Sequence, residues 1–221
     1  MKTHNIECYD NQHRSRYIHD VTAKLKRKGA YHHGDLRRGL IDAALKLAAE
    51  KGVRAVSLTD AAKSLGVSGA APYRHFADKE ALLAAAAEES FITFRQALRS
   101  ARTATYDALE GLLRQGEAYV QFGQKYPERL DFMFSMHLEF EKYPGLHQAS
   151  EAAFHELLDA VEGLVVAKLI TAEEVPSTAY QVWFFAHGAA TVAMPPSATS
   201  TSSQLLRQGV QALLAGKRLL G

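Results

Sequence analysis

The densest group of side chains with chemistry to offer is Tyr73, Arg74 and His75, where a phenol, a guanidinium and an imidazole follow one another. Such groups can reach phosphates or base edges. Nothing comparable suggests catalysis. The chain lacks a nucleophile elbow, a phosphate-binding glycine loop, a dinucleotide-binding glycine turn and a His-Glu-x-x-His pair. Its ten histidines are scattered, and His32-His33 is the only adjacent pair. No His, Cys, Asp or Glu cluster has metal-ligand spacing. The expectation is a protein that is not an enzyme and needs neither metal nor cofactor. The single cysteine, Cys8, excludes an intramolecular disulfide framework and suits a reduced cytoplasm. The most apolar window, Ala179 to Met194, holds Gln181 and His187 and falls short of the ~20 apolar residues of a membrane span. A cytoplasmic protein making no membrane contact is expected.

Charge separates the chain into two parts. Residues 1–80 carry 15 Lys and Arg against 9 Asp and Glu, whereas residues 81–221 carry 11 against 15. A basic front end suits a polyanion. Residues 1–30 show no sustained periodicity and include Lys24, Lys26, Arg27 and Lys28. They read either as an unstructured leader or as a flexible basic arm that follows phosphates.

Around Tyr73 the pattern is helical. Leu36, Leu40, Ile41, Ala44, Leu47 and Ala48 recur at three- and four-residue spacing after a possible cap at Asp35, and Gly52 stops them. Ser57 and Asp60 have capping-box form and open a short helix ending at Gly66. Val67 and Ser68 make a tight turn, and Ser68 is the expected N-cap of a second helix running to about Phe76. Asp78 caps a longer helix containing Leu82, Leu83, Phe91 and Phe94. This arrangement has the demands of a helix-turn-helix. Ala62 must be small where two helices cross, Gly66 must adopt φ > 0, and Val67 must fill the space under the turn. Gly69, Ala70 and Ala71 are short enough for the backbone to enter a major groove ~12 Å wide. Pro72 removes the first intrahelical hydrogen bond, so that helix starts late or has a loose first turn.

The rest reads as helices at about 105–124, 128–140, 146–170, 177–193 and 203–218, with breaks at Pro127, Pro144-Gly145 and Pro176. Nine helices without a strand make an all-α protein, with a head at 31–80 and a body at 81–221. Gly188, Ala189, Ala190 and Ala193 would let backbones approach closely, and Leu206, Val210, Leu213 and Leu214 form an apolar stripe. Both sets are candidates for a homodimer interface.

The runs Tyr31-His32-His33-Gly34-Asp35-Leu36-Arg37, Ala49-Glu50-Lys51-Gly52, Ser57-Leu58-Thr59, Leu65-Gly66-Val67-Ser68 and Tyr73-Arg74-His75-Phe76-Ala77-Asp78-Lys79-Glu80-Ala81-Leu82-Leu83 resemble the N-terminal domain of the TetR family. Trp183, His187 and Gly188 resemble the Trp-His-Gly motif of one class of C-terminal domain in that family. Ala61 and Pro72 depart from the pattern, which usually has larger aliphatic residues there.

The resemblance implies a homodimeric regulator of double-stranded operator DNA. It implies phosphate contacts from Thr59, Tyr73, His75 and Lys79 and base readout from Ser68, Gly69, Ala70, Ala71 and Arg74. Tyr31, His32 and Arg37 would lie near the backbone or minor groove. It further implies a repressor, released from a palindromic operator when a small molecule enters the C-terminal helices and shifts the helix near Phe91 to Arg99. Phe132, Met133, Phe134, Met136 and His137, with Phe154, Trp183, Phe184 and His187, could line a site for an apolar or aromatic ligand. The rival reading from the residues is a helical protein-interaction module that uses the head as a docking surface.

Overall fold

A computed structural model describes the protein at residues 36–135, 138–192 and 199–220. The expected cap Asp35 lies outside the described residues. Helix α1 (Leu36–Lys51) ends where Gly52 takes φ +82°, and a single 3-10 turn (Val53–Ala55) leads to α2 (Leu58–Ser64). Ser57 caps α2 by accepting from the Asp60 N–H at 3.0 Å. The return half of a capping box is replaced by the Ser57 hydroxyl donating to the Asp60 carboxylate at 2.7 Å. At the other end the Gly66 N–H donates to the Lys63 carbonyl and the Val67 N–H to the Ala62 carbonyl. This is the Schellman pair, and it requires the φ of +68° that Gly66 has.

The second helix of the motif is not an α-helix. Between Ser68 and Phe76 the chain makes a turn at Gly69-Ala70 and then one 3-10 turn, Pro72–Arg74. Pro72 has no N–H to give the Ser68 carbonyl, which accepts instead from the Ala71 N–H at 3.0 Å. Arg74 and His75 likewise bond three residues back, to Ala71 and Pro72, and Phe76 bonds four back to Pro72. Pro72 and Phe76 are both buried, so the proline fills the head's core where a larger aliphatic residue was expected. Ala61 and Ala62 are also fully buried beside them.

Asp78 caps α3 (Lys79–Arg102) by accepting from the Ala81 N–H at 2.8 Å. This single helix of 24 residues leaves the head with Leu82 and Leu83 buried and continues into the body with Phe91, Phe94 and Leu98 buried. It crosses residue 80 without a break. Midway along it Glu89 makes a bidentate pair with Arg38 of α1, at 2.8 and 3.0 Å.

The body contains α4 (Ala108–Lys125), α5 (Pro127–Leu130), α6 (Pro144–Val166), α7 (Val175–Thr191) and α8 (Thr199–Leu220). Among the described residues there are eight α-helices and no strand. The segment expected to be one helix over 128–140 is α5 followed by a π-turn at Asp131–Ser135 and a 3-10 turn at Phe140–Lys142. Helix α4 is central, packing against α3, α6, α7 and α8. Two of its glycines permit this. A Cβ at Gly116 would lie 2.8 Å from Leu206 of α8, and one at Gly123 would lie 2.6 Å from Leu130 and 2.9 Å from the Ala190 Cβ of α7.

Charged side chains fix how the helices rotate against α4 and α3. Arg207 of α8 reaches Glu110 at 2.9 and 3.0 Å and also pairs with Glu117. Glu156 of α6 is buried and accepts from Arg95 and Arg102 of α3, at 3.0 Å each. Burial pushes the Glu156 carboxyl up, but hydrogen bonds from Arg102 and Arg95 outweigh it and hold the group below its ordinary value.

Gly66→Ala is expected to cost about 1 kcal/mol in urea melts, because an Ala side chain is strained at that φ although no atom obstructs it. A second expectation concerns acid. Hydrogen bonds from Arg207, then Arg114, hold the Glu110 carboxyl at about 2, so its stabilisation is complete above the usual carboxylate range and is lost as pH falls toward 2. Arg207→Gln should therefore lose less stability between pH 5 and pH 2 than the parent does, measured by urea melts across that range.

Candidate nucleic-acid interface and effector cavity

The Schellman turn at Gly66 and the buried Pro72 and Phe76 hold the intervening backbone against the head. Residues between them must then face outward. Ser68, Gly69, Ala70, Arg74 and His75 are exposed, Tyr73 is 57% exposed, and Ala71 is half-buried. Thr59, in the first turn of α2, is exposed as well. The Arg37 guanidinium lies over the Phe76 ring at 5.4 Å, tying α1 to the end of the 3-10 turn while staying exposed. Lys79 donates to the Arg54 carbonyl at 2.9 Å, which leaves two of its three N–H donors for other partners. Tyr31 and His32 lie outside the described residues.

In the body, the helices around α4 enclose a cavity of about 340 Å³. Helix α3 gives it Phe91, Phe94 and Leu98; α4 gives Leu112, Gln115, Gly116 and Tyr119. Met133 and Phe134 come from the π-turn, Phe140 from the following 3-10 turn, Ser150, Ala153, Phe154 and Leu157 from α6, and Val182, Trp183 and Ala186 from α7. Among the described residues no lining side chain carries a charge.

Of the residues expected at this site, Met133, Phe134, Phe154 and Trp183 are on the wall. Phe184 is not; it is 63% exposed, because Val182, Trp183 and Ala186 take the inward face of α7 and position 184 turns ~100° further round. His187 stands behind the wall, its Nδ1 2.7 Å from the Tyr119 hydroxyl and its ring 4.9 Å from that of Phe134. Burial pushes the His187 imidazole below its ordinary value, keeping it neutral. Burial also raises the Tyr119 phenol, with a hydrogen bond from Trp183 as a smaller opposing influence. The phenol and Nδ1 share one hydrogen bond, whose donor is set by the tautomer of the imidazole. Phe132 is fully buried but does not face the cavity, and Met136 and His137 lie outside the described residues.

The sequence reading missed Gln115 and Tyr119, together with the α3 aromatics as cavity residues. A signal was available. Leu112, Gln115, Gly116, Tyr119 and Gly123 follow helical spacing along one face, and Gln115 is a long polar side chain within it.

The candidate dimer residues divide. Leu206 and Val210 are each only 2% exposed and belong to the subunit's own core, because Gly116 admits Leu206 and the Arg207 ion pairs fix α8 in that rotation. Ala190 lies against Gly123, where its smallness serves the α4–α7 contact. Gly188, Ala189 and Leu213 are half-buried, and Ala193 lies outside the described residues.

A turn-fixed, outward-facing segment on a small helical head, joined to a helical body, is the arrangement of a helix-turn-helix protein. Residues 40–86 match the family described as bacterial regulatory proteins, tetR family, and residues 112–213 match a tetracyclin repressor-like C-terminal domain. An uncharacterized HTH-type transcriptional regulator from Haemophilus influenzae is 39% identical over 67 residues, 30% of this chain and 33% of the relative. The match thus spans about a third of that relative's length. A solved protein of unknown function from Rhodococcus sp. RHA1 is 28% identical with TM-score 0.68, covering 81% of this chain and 97% of that one. RolR, solved with the ligand resorcinol, shares the fold at 22% identity and TM-score 0.55, over 78% of this chain and 86% of its own. The chain belongs to the TetR family of transcriptional regulators.

Proposed function

We propose that the protein is a cytoplasmic, homodimeric repressor, released from a palindromic operator when a small apolar or aromatic molecule occupies the cavity. It divides into a basic arm at 1–30, a DNA-reading head at 31–80 and an effector and dimer body at 81–221. The observation that carries this reading is the continuity of α3. One unbroken helix anchors the head through Leu82, Leu83 and the Arg38–Glu89 pair, and lines the cavity through Phe91, Phe94 and Leu98. A ligand that fits better in one setting of α3 than in another biases the head accordingly, by its difference in affinity for the two. The resorcinol complex of RolR supports a neutral aromatic effector.

In this reading Tyr73, Arg74 and His75 meet the operator with Ser68 to Ala71, while Thr59, Lys79 and Arg37 take phosphates. Binding to the DNA upstream of the protein's own gene, followed by fluorescence anisotropy, tests it. Affinity should fall steeply with salt, with a log–log slope of about 0.9 per phosphate neutralised. Tyr73→Ala should weaken operator binding about tenfold or more. Undiminished affinity in that variant removes the 3-10 turn from the interface.

The dimer face in this reading is the outer surface of α7 and α8, where Tyr180, Phe184, Phe185, Val192 and Leu205 are all exposed. Gly188, Ala189 and Leu213 lie along it. A second copy related by a two-fold axis would cover this face and space the heads by one DNA turn, ~34–36 Å, or a multiple of it. Phe184→Glu is expected to shift the sedimenting species from dimer to monomer while leaving the helical circular dichroism unchanged.

A further inference from the structure

Polar atoms on the cavity wall are few, and most are already spoken for. The Tyr119 hydroxyl is held by His187 at 2.7 Å. Ser150 donates to the His147 carbonyl of its own helix at 2.8 Å. Gln115 differs. It is 2% exposed, it lines the cavity, and neither its Oε1 nor its Nε2 has a hydrogen-bond partner among the described residues. Arg102 Nε and Thr178 Oγ1 are the other buried side-chain atoms without a partner among the described residues, and neither residue lines the cavity. A buried amide with both ends unmade is costly, and such groups in folded proteins usually have a purpose. An apolar residue there would pack as well and leave nothing unsatisfied.

Resting on the reading of the cavity as the effector site, we infer that Gln115 is its specificity residue and selects an uncharged, mainly apolar ligand bearing one group that both donates and accepts a hydrogen bond. A carboxamide or a hydroxyl has that chemistry. The amide carbonyl of Gln115 accepts from the ligand while its NH2 donates back. Aromatic and aliphatic walls from α3, α6 and α7 take up the remainder of the molecule. A carboxylate is rejected, because no lining residue among those described carries a positive charge to pair with it. A ligand with an acceptor alone satisfies the NH2 and leaves the carbonyl of Gln115 unmade.

Three near-isosteric probes separate these cases: 4-tert-butylbenzamide, 4-tert-butylacetophenone and 4-tert-butylbenzoate. Calorimetry gives affinity on the full chain. Trp183, the chain's only tryptophan and part of the wall, reports occupancy of this cavity by its emission. The parent should bind the amide about tenfold tighter than the ketone, with the carboxylate weakest. Gln115→Leu should abolish the amide's advantage while retaining ketone binding. The variant should also melt at or above the parent temperature, since removing two unpartnered buried atoms does not destabilise. An amide preference that survives in Gln115→Leu, carboxylate binding equal to amide binding in the parent, or a variant that fails to fold each overturns the assignment of Gln115. Equal binding of all three probes with a change in Trp183 emission also overturns it, but leaves the effector cavity standing. If none of the three binds, the cavity reading itself falls, and the role of Gln115 with it.

Discussion

The body depends on one helix being touched from four sides. Helix α4 carries contacts to α3, α6, α7 and α8, and two of these neighbours, α7 and α8, close on it where its surface is stripped to backbone. Gly116 and Gly123 supply those places, receiving Leu206 from α8 and both Leu130 and Ala190 from elsewhere. A glycine within a helix costs ~1 kcal/mol relative to alanine, so each is tolerated for what it admits. The arrangement also locates the cavity. Along this helix Leu112, Gln115, Gly116 and Tyr119 line a space about 340 Å³ in volume.

Ion pairs complete what the close approaches begin. Leu206 and Val210 form an apolar stripe that would serve equally well against a second subunit or against α4. Arg207, between them in sequence, decides the matter by reaching Glu110 and Glu117. Such partly exposed pairs add little stability individually. Their value here is rotational, since they choose which face of an amphipathic helix turns inward. Glu156 does the same between α6 and α3, with its carboxylate buried and two guanidiniums brought to it.

How much of this was legible in the sequence follows from the range of the interactions responsible. Caps and stops are local, so Ser57, Gly66 and Asp78 could be read directly and occur as expected. Helix periodicity located α4, α6, α7 and α8 to within a few residues, and the all-α class followed. The rotation of each helix is a tertiary property, which is why an apolar stripe on α8 was read as a subunit interface when most of it is internal. The same limit applies to the cavity. Met133, Phe134, Phe154 and Trp183 were chosen by type and do face it, whereas Phe184 was chosen by type and does not. Gln115 was overlooked because a polar side chain on an apolar face becomes conspicuous only when it is found buried and unpartnered. Pro72 was the intermediate case. Its missing N–H was evident, but whether the helix would begin late or be replaced by a 3-10 turn depended on its burial beneath the turn.

That 3-10 turn has a geometric corollary. With three residues per turn, Tyr73 and Arg74 leave the backbone ~120° apart and do not share a face, and His75 follows the turn as its cap. The whole Pro72–Arg74 turn rises only ~6 Å, less than two base-pair steps of 3.4 Å. A head built this way presents a point rather than a ridge. In the dimer proposed above, a long recognition sequence would then be assembled from the spacing and symmetry of two such points, and not from the length of either one.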